Sequence, residues 1–250
     1  MKTKKFLAFS CLHMPFHDVG AVEFLFQQIK KHKPDVIVNL GDSHEADASS
    51  RFPSEETHNL EHEFKIHNEF CQRLLDSRPE AKFVFMEGNH DLAIRDQHRI
   101  NKKVRSLCDY RKHEPALKHF KFFPYEHSRK AVFRLGQVSF MHGVKCGNNA
   151  GKYHSIRYGK PYGLMVDGHT HSILPVSQVY ASPKLPLPYW HANAGTLRDM
   201  NPHYMLRNDK GSWGQGVVVG EAQELKSPRE SRCWEAETLV YKMADEELYS

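Results

Sequence analysis

Two hydrophobic rhythms alternate through the first hundred residues. Residues 5–10 (KFLAFS), 36–40 (VIVNL) and 82–86 (KFVFM) are short, nearly unbroken apolar runs, the pattern of strands buried on both faces. Between them the spacing becomes helical. Val22, Leu25, Phe26 and Ile29 share one face, and Leu60, Phe64, His67, Cys71 and Leu74 form a stripe along a longer segment. Lys33-Pro34 ends the first helix, because proline disfavours a helical residue before it and offers no N–H of its own. Strand, helix, strand, helix, strand predicts parallel pairing through crossovers.

A further helical stretch, about Leu92 to Tyr110, is followed by a change of character. Residues 130–135 and 137–142, separated by Gly136, predict an antiparallel hairpin, and 163–167 (GLMVD) a further strand. The proline-rich residues 183–188 read as a loop, and 216–220 and 233–241 as late antiparallel strands. The expected fold is α/β, two mixed sheets faced by helices in one domain over residues 1–250. Residues 223–231 are expected to form an exposed loop and 244–250 a frayed tail.

Composition narrows the class. A hydrophobic fraction of 40% with 26% charged residues fits a soluble globular chain and excludes intrinsic disorder. No segment approaches the roughly 18 apolar residues of a membrane span. Lys2, Lys4 and Lys5 ahead of the apolar run 6–12 imitate a secretory leader, and Ser10-Cys11 a lipoprotein cleavage site. The run is short, however, and His13, Pro15, His17 and Asp18 follow at once, so it reads as a strand. The net charge of +5 permits an anionic substrate but is too small for a nucleic-acid coat. Five scattered cysteines without a C-x-x-C pair point to a reducing, cytoplasmic setting. Eighteen histidines are the unusual count, since imidazole is both a common metal ligand and the proton carrier of neutral pH.

Those histidines fall in telling places. Each predicted strand is followed by a metal-capable group: Cys11-Leu12-His13, Gly41-Asp42, Gly88-Asn89-His90-Asp91, His142-Gly143 and Gly168-His169-Thr170-His171. The loops leaving the C-terminal ends of strands in an α/β sheet converge on ligands there. One such coincidence would be a turn or a core histidine; five point to a site.

The order and chemistry resemble the calcineurin-like metallophosphoesterase superfamily, whose pattern is D-x-H, G-D-x-x-[DE], G-N-H-[DE], H-G and G-H-x-H. Gly41-Asp42-Ser43-His44-Glu45, Gly88 to Asp91, His142-Gly143 and Gly168 to His171 match in full, whereas Cys11 stands where the family has aspartate. The blocks span residues 6–171. Residues 50–52 (SRF), Glu87, Tyr204 and Trp213 also resemble small bacterial and phage members.

The resemblance implies a four-layer α-β-β-α sandwich and two divalent or mixed-valence ions about 3.5–4 Å apart. Cys11, His13 and His171 would hold the first ion, Asn89, His142 and His169 the second, and Asp42 would bridge them. It further implies hydrolysis of a phosphate ester by water that the ions activate. His90 would be the general acid, and Asp91 would hydrogen-bond its other nitrogen.

A thiolate at Cys11 would favour zinc or iron at the first position, with manganese suited to the other. The alternative is that Cys11 is a buried apolar residue and the first ion is held by fewer ligands. The substrate would be a phosphorylated small molecule, a nucleotide or a nucleic acid, with phosphodiesters weakly preferred over monoesters and no membrane partner. The rival function is a non-catalytic scaffold with a degenerate metal site.

His17, His44, Arg51 and Arg95 are candidate phosphate contacts or solvated loop residues. The run Arg95, Arg99, Lys102, Lys103, Arg105, Arg111, Lys112 reads as a solvated helix face in preference to a polynucleotide track. His58, His62 and His67 have no metal spacing, and Cys71, Cys108, Cys146 and Cys233 read as small buried or half-exposed side chains.

Overall fold

The computed structural model describes residues 2–46, 59–100, 106–182, 185–201, 213–223 and 231–244, with side chains at 98–100, 180–182 and 185–186 excluded. The expected β-α-β-α-β start is present as β1 (Thr3–Phe9), α1 (Val19–His32), β2 (Val36–Asn39), α2 (Leu60–Ser77) and β3 (Lys82–Met86). Asp18 caps α1 by accepting from the Ala21 N–H at 2.8 Å. Lys33 closes the helix in the left-handed region, and Pro34 prevents its continuation.

β1, β2 and β3 pair in parallel with β4 (Phe120–Phe123), while β10 (Gly214–Gln223) and β11 (Trp234–Met243) add to the other edge in antiparallel fashion. The order is β11-β10-β1-β2-β3-β4. The second sheet has the order β5-β6-β7-β9-β8, from β5 (Phe133–Leu135), β6 (Val138–Phe140), β7 (Leu164–Asp167), β8 (Ile173–Ser182) and β9 (Leu185–Ala194). Both sheets are mixed, as expected.

Alternation along β1 explains the layering. Leu7 and Phe9 face α1 and α2, in a core with Leu25, Ile29, Phe64, Phe70 and Leu74. Phe6 and Ala8 face the other way, toward Phe140, Val166 and Ala192 of the second sheet. A strand buried on both sides must be apolar throughout, which is why its sequence shows no alternation. Packed this way, the sheets bring the C-terminal ends of β1, β2, β3, β6 and β7 to one rim.

The structure corrects several expected elements. The helix at 92–110 is α3 (Asn89–Ile100) and then, beyond residues 101–105, a separate turn, α4 (Tyr110–His113). In the hairpin, residues 129–131 form a 3-10 turn, so the strands are shorter than expected. Residues 185–188 of the proline-rich stretch begin β9, while 183 and 184 lie outside the described residues, and the partner strand β8 was unforeseen. Pro175 lies where the β8–β9 register shifts, on the edge strand of the sheet, where a missing N–H breaks no ladder. β4 and α5 (Ala150–Tyr158) were also unforeseen. The expected loop at 223–231 and tail at 244–250 fall almost wholly outside the described residues. Among the described residues no helix is long and apolar enough to cross a membrane.

Candidate metal centre

The strand ends are held in conformations that L-residues avoid. Cys11 (φ 56°), His13 (48°), Asp42 (52°), His169 (66°) and His171 (58°) all lie in the left-handed region. Such residues cost on the order of 1–3 kcal/mol each and persist where the surroundings over-determine them. Here the surroundings are hydrogen bonds between loops: Cys11 N–H to Gly41 O at 2.9 Å, His13 N–H to Asp42 O at 3.0 Å and Gly168 N–H to His142 O at 3.0 Å.

Two glycines make the approach feasible. A Cβ on Gly88 would overlap Asp42, and one on Gly168 would overlap the Ser10 hydroxyl of the other sheet's neighbouring loop. Asp91, fully buried, ties the first-sheet loops together by accepting from the N–H groups of Asp42, Ser43, His44 and Gly88. Burial opposes its charge, but the His44 imidazole bonded to it outweighs burial and holds its pKa below the usual carboxylate value.

Cys11, His13 and His171 converge at the junction of the sheets, with their ligand atoms within 4.8 Å of one another. His13 Nδ1 lies 2.8 Å from Glu45 Oε2, an ion-pair contact on the side of the ring away from His171. His13 Nε2 is 3.0 Å from His171 Nε2 and 4.0 Å from Asp42 Oδ2. Burial holds both imidazoles below their ordinary pKa, His171 well below, so they are neutral at pH 7. Burial, reinforced by the Asp42 carboxylate, pushes the Cys11 thiol well above its ordinary value. An adjacent cation would be needed to reverse that shift and hold the thiolate.

Asn89, His142 and His169 form the neighbouring group. His142 Nδ1 donates to Leu40 O at 2.9 Å, which leaves its Nε2 facing Asp42 Oδ2 at 3.1 Å and Asn89 Oδ1 at 3.2 Å. In the neutral imidazole these are three acceptors turned toward one another with no hydrogen between them. A proton on His142 or a cation must resolve that arrangement. Burial opposes the proton, but Asp42 outweighs it and raises the His142 pKa.

Asp42 itself is held well below the carboxylate range, with burial outweighed by His142 and His90. His169 has its Nδ1 buried without a hydrogen-bond partner and its Nε2 3.1 Å from the exposed Cys146 sulfur. Burial and the nearby His142 lower its pKa to about 4. Neutral nitrogens, an ionised carboxylate, an amide oxygen and a thiol therefore converge, a donor set that fits divalent cations.

His90 lies beside this group, its ring centroid 4.7 Å from that of His13 and its N–H on Asp42 Oδ1 at 2.9 Å. The expected bond to Asp91 is absent. His90 Nδ1 instead donates to the Glu45 carbonyl at 2.6 Å, because Asp91 is fully used on backbone N–H groups and on His44. The main-chain carbonyl therefore sets the tautomer. Burial disfavours the His90 cation, but Asp42 and the Glu45 carbonyl more than compensate and raise the pKa.

Other candidates move away from the site. His44 is fully buried, with Nδ1 2.7 Å from Asp91 Oδ1 and Nε2 2.6 Å from Glu114 Oε1, and cannot meet a substrate. Arg95 is engaged two-pronged on Glu87 at 2.7 and 2.9 Å. His17 is half-buried against Arg198. Of the basic run, Arg111 contacts Asp109 and the Phe122 ring, while Arg51, Lys102, Lys103, Arg105, His58 and Tyr204 lie outside the described residues. Trp213 packs against His171 with ring centroids 4.3 Å apart.

Three contributors carried no assigned role. Glu45 sits at the fifth position of the Gly41 block, where its spacing from Asp42 was a usable signal. Arg198, bonded to it, has no such signal, being 153 residues distant. Tyr125, whose ring is 5.8 Å from that of His142, follows no motif.

No curated protein matches the sequence. Among solved structures, the phosphoesterase YfcE of E. coli is 16% identical over 88% of each chain, with a TM-score of 0.44. The nuclease MPE of Pseudomonas putida is 10% identical, with 94% of this chain and 87% of that one covered and a TM-score of 0.39. Vacuolar protein sorting 29 of Cryptosporidium parvum is 12% identical over 96% and 98%, with a TM-score of 0.42. The family model described as calcineurin-like phosphoesterase matches residues 4–186, a span that carries all five strand-end blocks, and the chain belongs to that family.

Proposed function

We propose that the protein is a metal-dependent hydrolase of phosphate esters. The observation that supports this most is His142 Nε2 lying 3.1 Å from Asp42 Oδ2 and 3.2 Å from Asn89 Oδ1, an arrangement that a proton or a cation satisfies. Cys11, His13 and His171 would hold one ion, Asn89, His142 and His169 a second, and Asp42 would serve both. The thiol favours zinc or iron in the first position, and the harder donors accommodate manganese in the second. Bound ions would lower the pKa of water and shield the charge of the phosphoryl group.

The chain's own residues do the rest. His90 keeps Nδ1 on the Glu45 carbonyl, which frees Nε2 to give a proton to the leaving oxygen. Its raised pKa keeps that proton available near neutrality. Asp91 acts one step back, by fixing the main chain at Asp42. Phosphodiesters, nucleotides or nucleic-acid ends are the favoured substrates, consistent with the +5 net charge.

The test is metal content of protein purified without added ions, together with hydrolysis of bis-p-nitrophenyl phosphate beside p-nitrophenyl phosphate. Two ions per chain and faster diester turnover are expected. Absence of turnover with zinc, iron, manganese and magnesium would favour a scaffold role.

A further inference from the structure

We propose that Glu45, anchored by Arg198, is a positioning residue that sets the ion affinity of the Cys11, His13 and His171 group. The inference rests on the metal-dependent reading above and adds residues to it. Glu45 makes two separate connections. Its carboxylate approaches His13 Nδ1 at 2.8 Å, and its main-chain carbonyl accepts from His90 Nδ1 at 2.6 Å. Nδ1 is the ring nitrogen directed away from His171, so the carboxylate orients the imidazole from behind and increases the basicity of Nε2.

A buried carboxylate needs a counter-charge, and Arg198 supplies it, with Nη1 at 3.1 Å from Oε2 and 3.4 Å from Oε1. Arg198 is 2% exposed and Glu45 9%. The segment carrying Arg198 is also tied to the Cys11 loop. The Thr196 hydroxyl and the Leu197 N–H both donate to Cys11 O, at 2.8 and 3.1 Å. Arg198, Glu45, His13 and Cys11 thus form one assembly, and nothing comparable backs Asn89 among the described contacts.

This geometry separates two effects of one residue. Replacing the side chain removes the support of His13 but keeps the carbonyl that aims His90. Removal of an orienting partner of a metal-bound histidine costs about 10–100-fold in metal affinity. Glu45→Gln is therefore expected to weaken one ion-binding step by about 10–100-fold and leave the other unchanged. Its dependence of rate on leaving-group pKa should match that of the wild type.

The experiment is Co2+ titration of metal-free full-length wild type, Glu45→Gln and Glu45→Asp. Bound ions are counted by elemental analysis, and the step that uses Cys11 is assigned by its loss in Cys11→Ala. Selective weakening of that step in Glu45→Gln, partly restored in Glu45→Asp, supports the proposal. Equal weakening of both steps, as from general loosening, overturns it, as does no change. Should Glu45→Gln fail to fold, Arg198→Lys is read by the same criterion, with a smaller selective effect expected. A wild type that binds no ion sinks the metal-dependent function and this inference with it; a wild type that binds two ions, unaltered in Glu45→Gln, sinks this inference alone.

Discussion

Cys11, His13 and His171 are at most 7% exposed, whereas Asn89 and His169 are half-buried and His169 lies against an exposed cysteine. The first group is backed by the Glu45 carboxylate and covered by Trp213. The second is backed at His142 by a neutral carbonyl, with the half-buried Tyr125 ring 5.8 Å from that of His142. On the proposed metal-dependent reading, two groups with similar side chains would have different tasks. Enclosure and a carboxylate behind the ligand favour retention of an ion, while an open flank admits solvent and substrate.

The largest effect should come from the residue common to both groups. Asp42→Asn removes the shared charge, worth several kcal/mol of transition-state stabilisation, so kcat should fall about 10³-fold or more and both ions should weaken. Retention of both at wild-type affinity, measured by elemental analysis, would detach Asp42 from the centre. His90→Ala leaves the ligands in place and should lower kcat by about 10²–10⁴ on alkyl leaving groups, but much less on nitrophenolate. Equal losses on both substrates would rule out a proton-donor role.

Cys11→Ala and Asn89→Ala sharpen the comparison. The first should deplete the enclosed ion and spare the open one, and the second should do the reverse. Cys11→Asp should keep activity and shift metal preference toward manganese. If Cys11→Ala retains both ions in full, the thiol is packing and not a ligand.

The supports beneath the two groups also differ, with a smaller consequence. Under the second sheet, Asp167 accepts from the side chains of His154, His191 and Asn193 at 2.6–2.9 Å, in an arrangement that braces the Gly168 loop. Under the first, a buried chain runs Asp91, His44, Glu114, His67, Cys71.

Burial disfavours charge on His67, but the Cys71 sulfur and the Glu114 carboxylate outweigh it and raise its pKa to about 9. A raised folded-state pKa contributes stability that is complete below the unfolded value of about 6.5 and is lost as pH rises through about 9. Urea unfolding should show wild-type stability declining across that window, and His67→Gln should flatten the decline. Parallel pH curves for the two proteins would count against a charged His67.

The core strands and the strand-end chemistry were legible because both are written locally. A strand buried on two faces must be apolar at every position, and a sharp turn beside a ligand needs glycine at fixed offsets. β8, β9 and β4 were not legible. The prolines of residues 183–188 read as loop and β4 and β8 carried no reading, and only the neighbouring strand supplies the pairing that makes them strands.

The site divides in the same way. The identity of Cys11, His13, Asp42, Asn89, His90, His142, His169 and His171 was available from motif spacing, and so was the presence of Asp91. The work of Asp91 was not. The expected dyad with His90 gave way to a backbone clamp, because a buried carboxylate is drawn to the greatest number of donors, and the loops at residues 42–44 and 88 present theirs there. Glu45 could be found but not given a role, and Arg198 could not be found at all, since its partner is 153 residues away. Local sequence determines which groups reach the strand ends. Which of them face a neighbouring acceptor, and which are held from behind, depends on how the two sheets close over one another, and that was decided only by the tertiary structure.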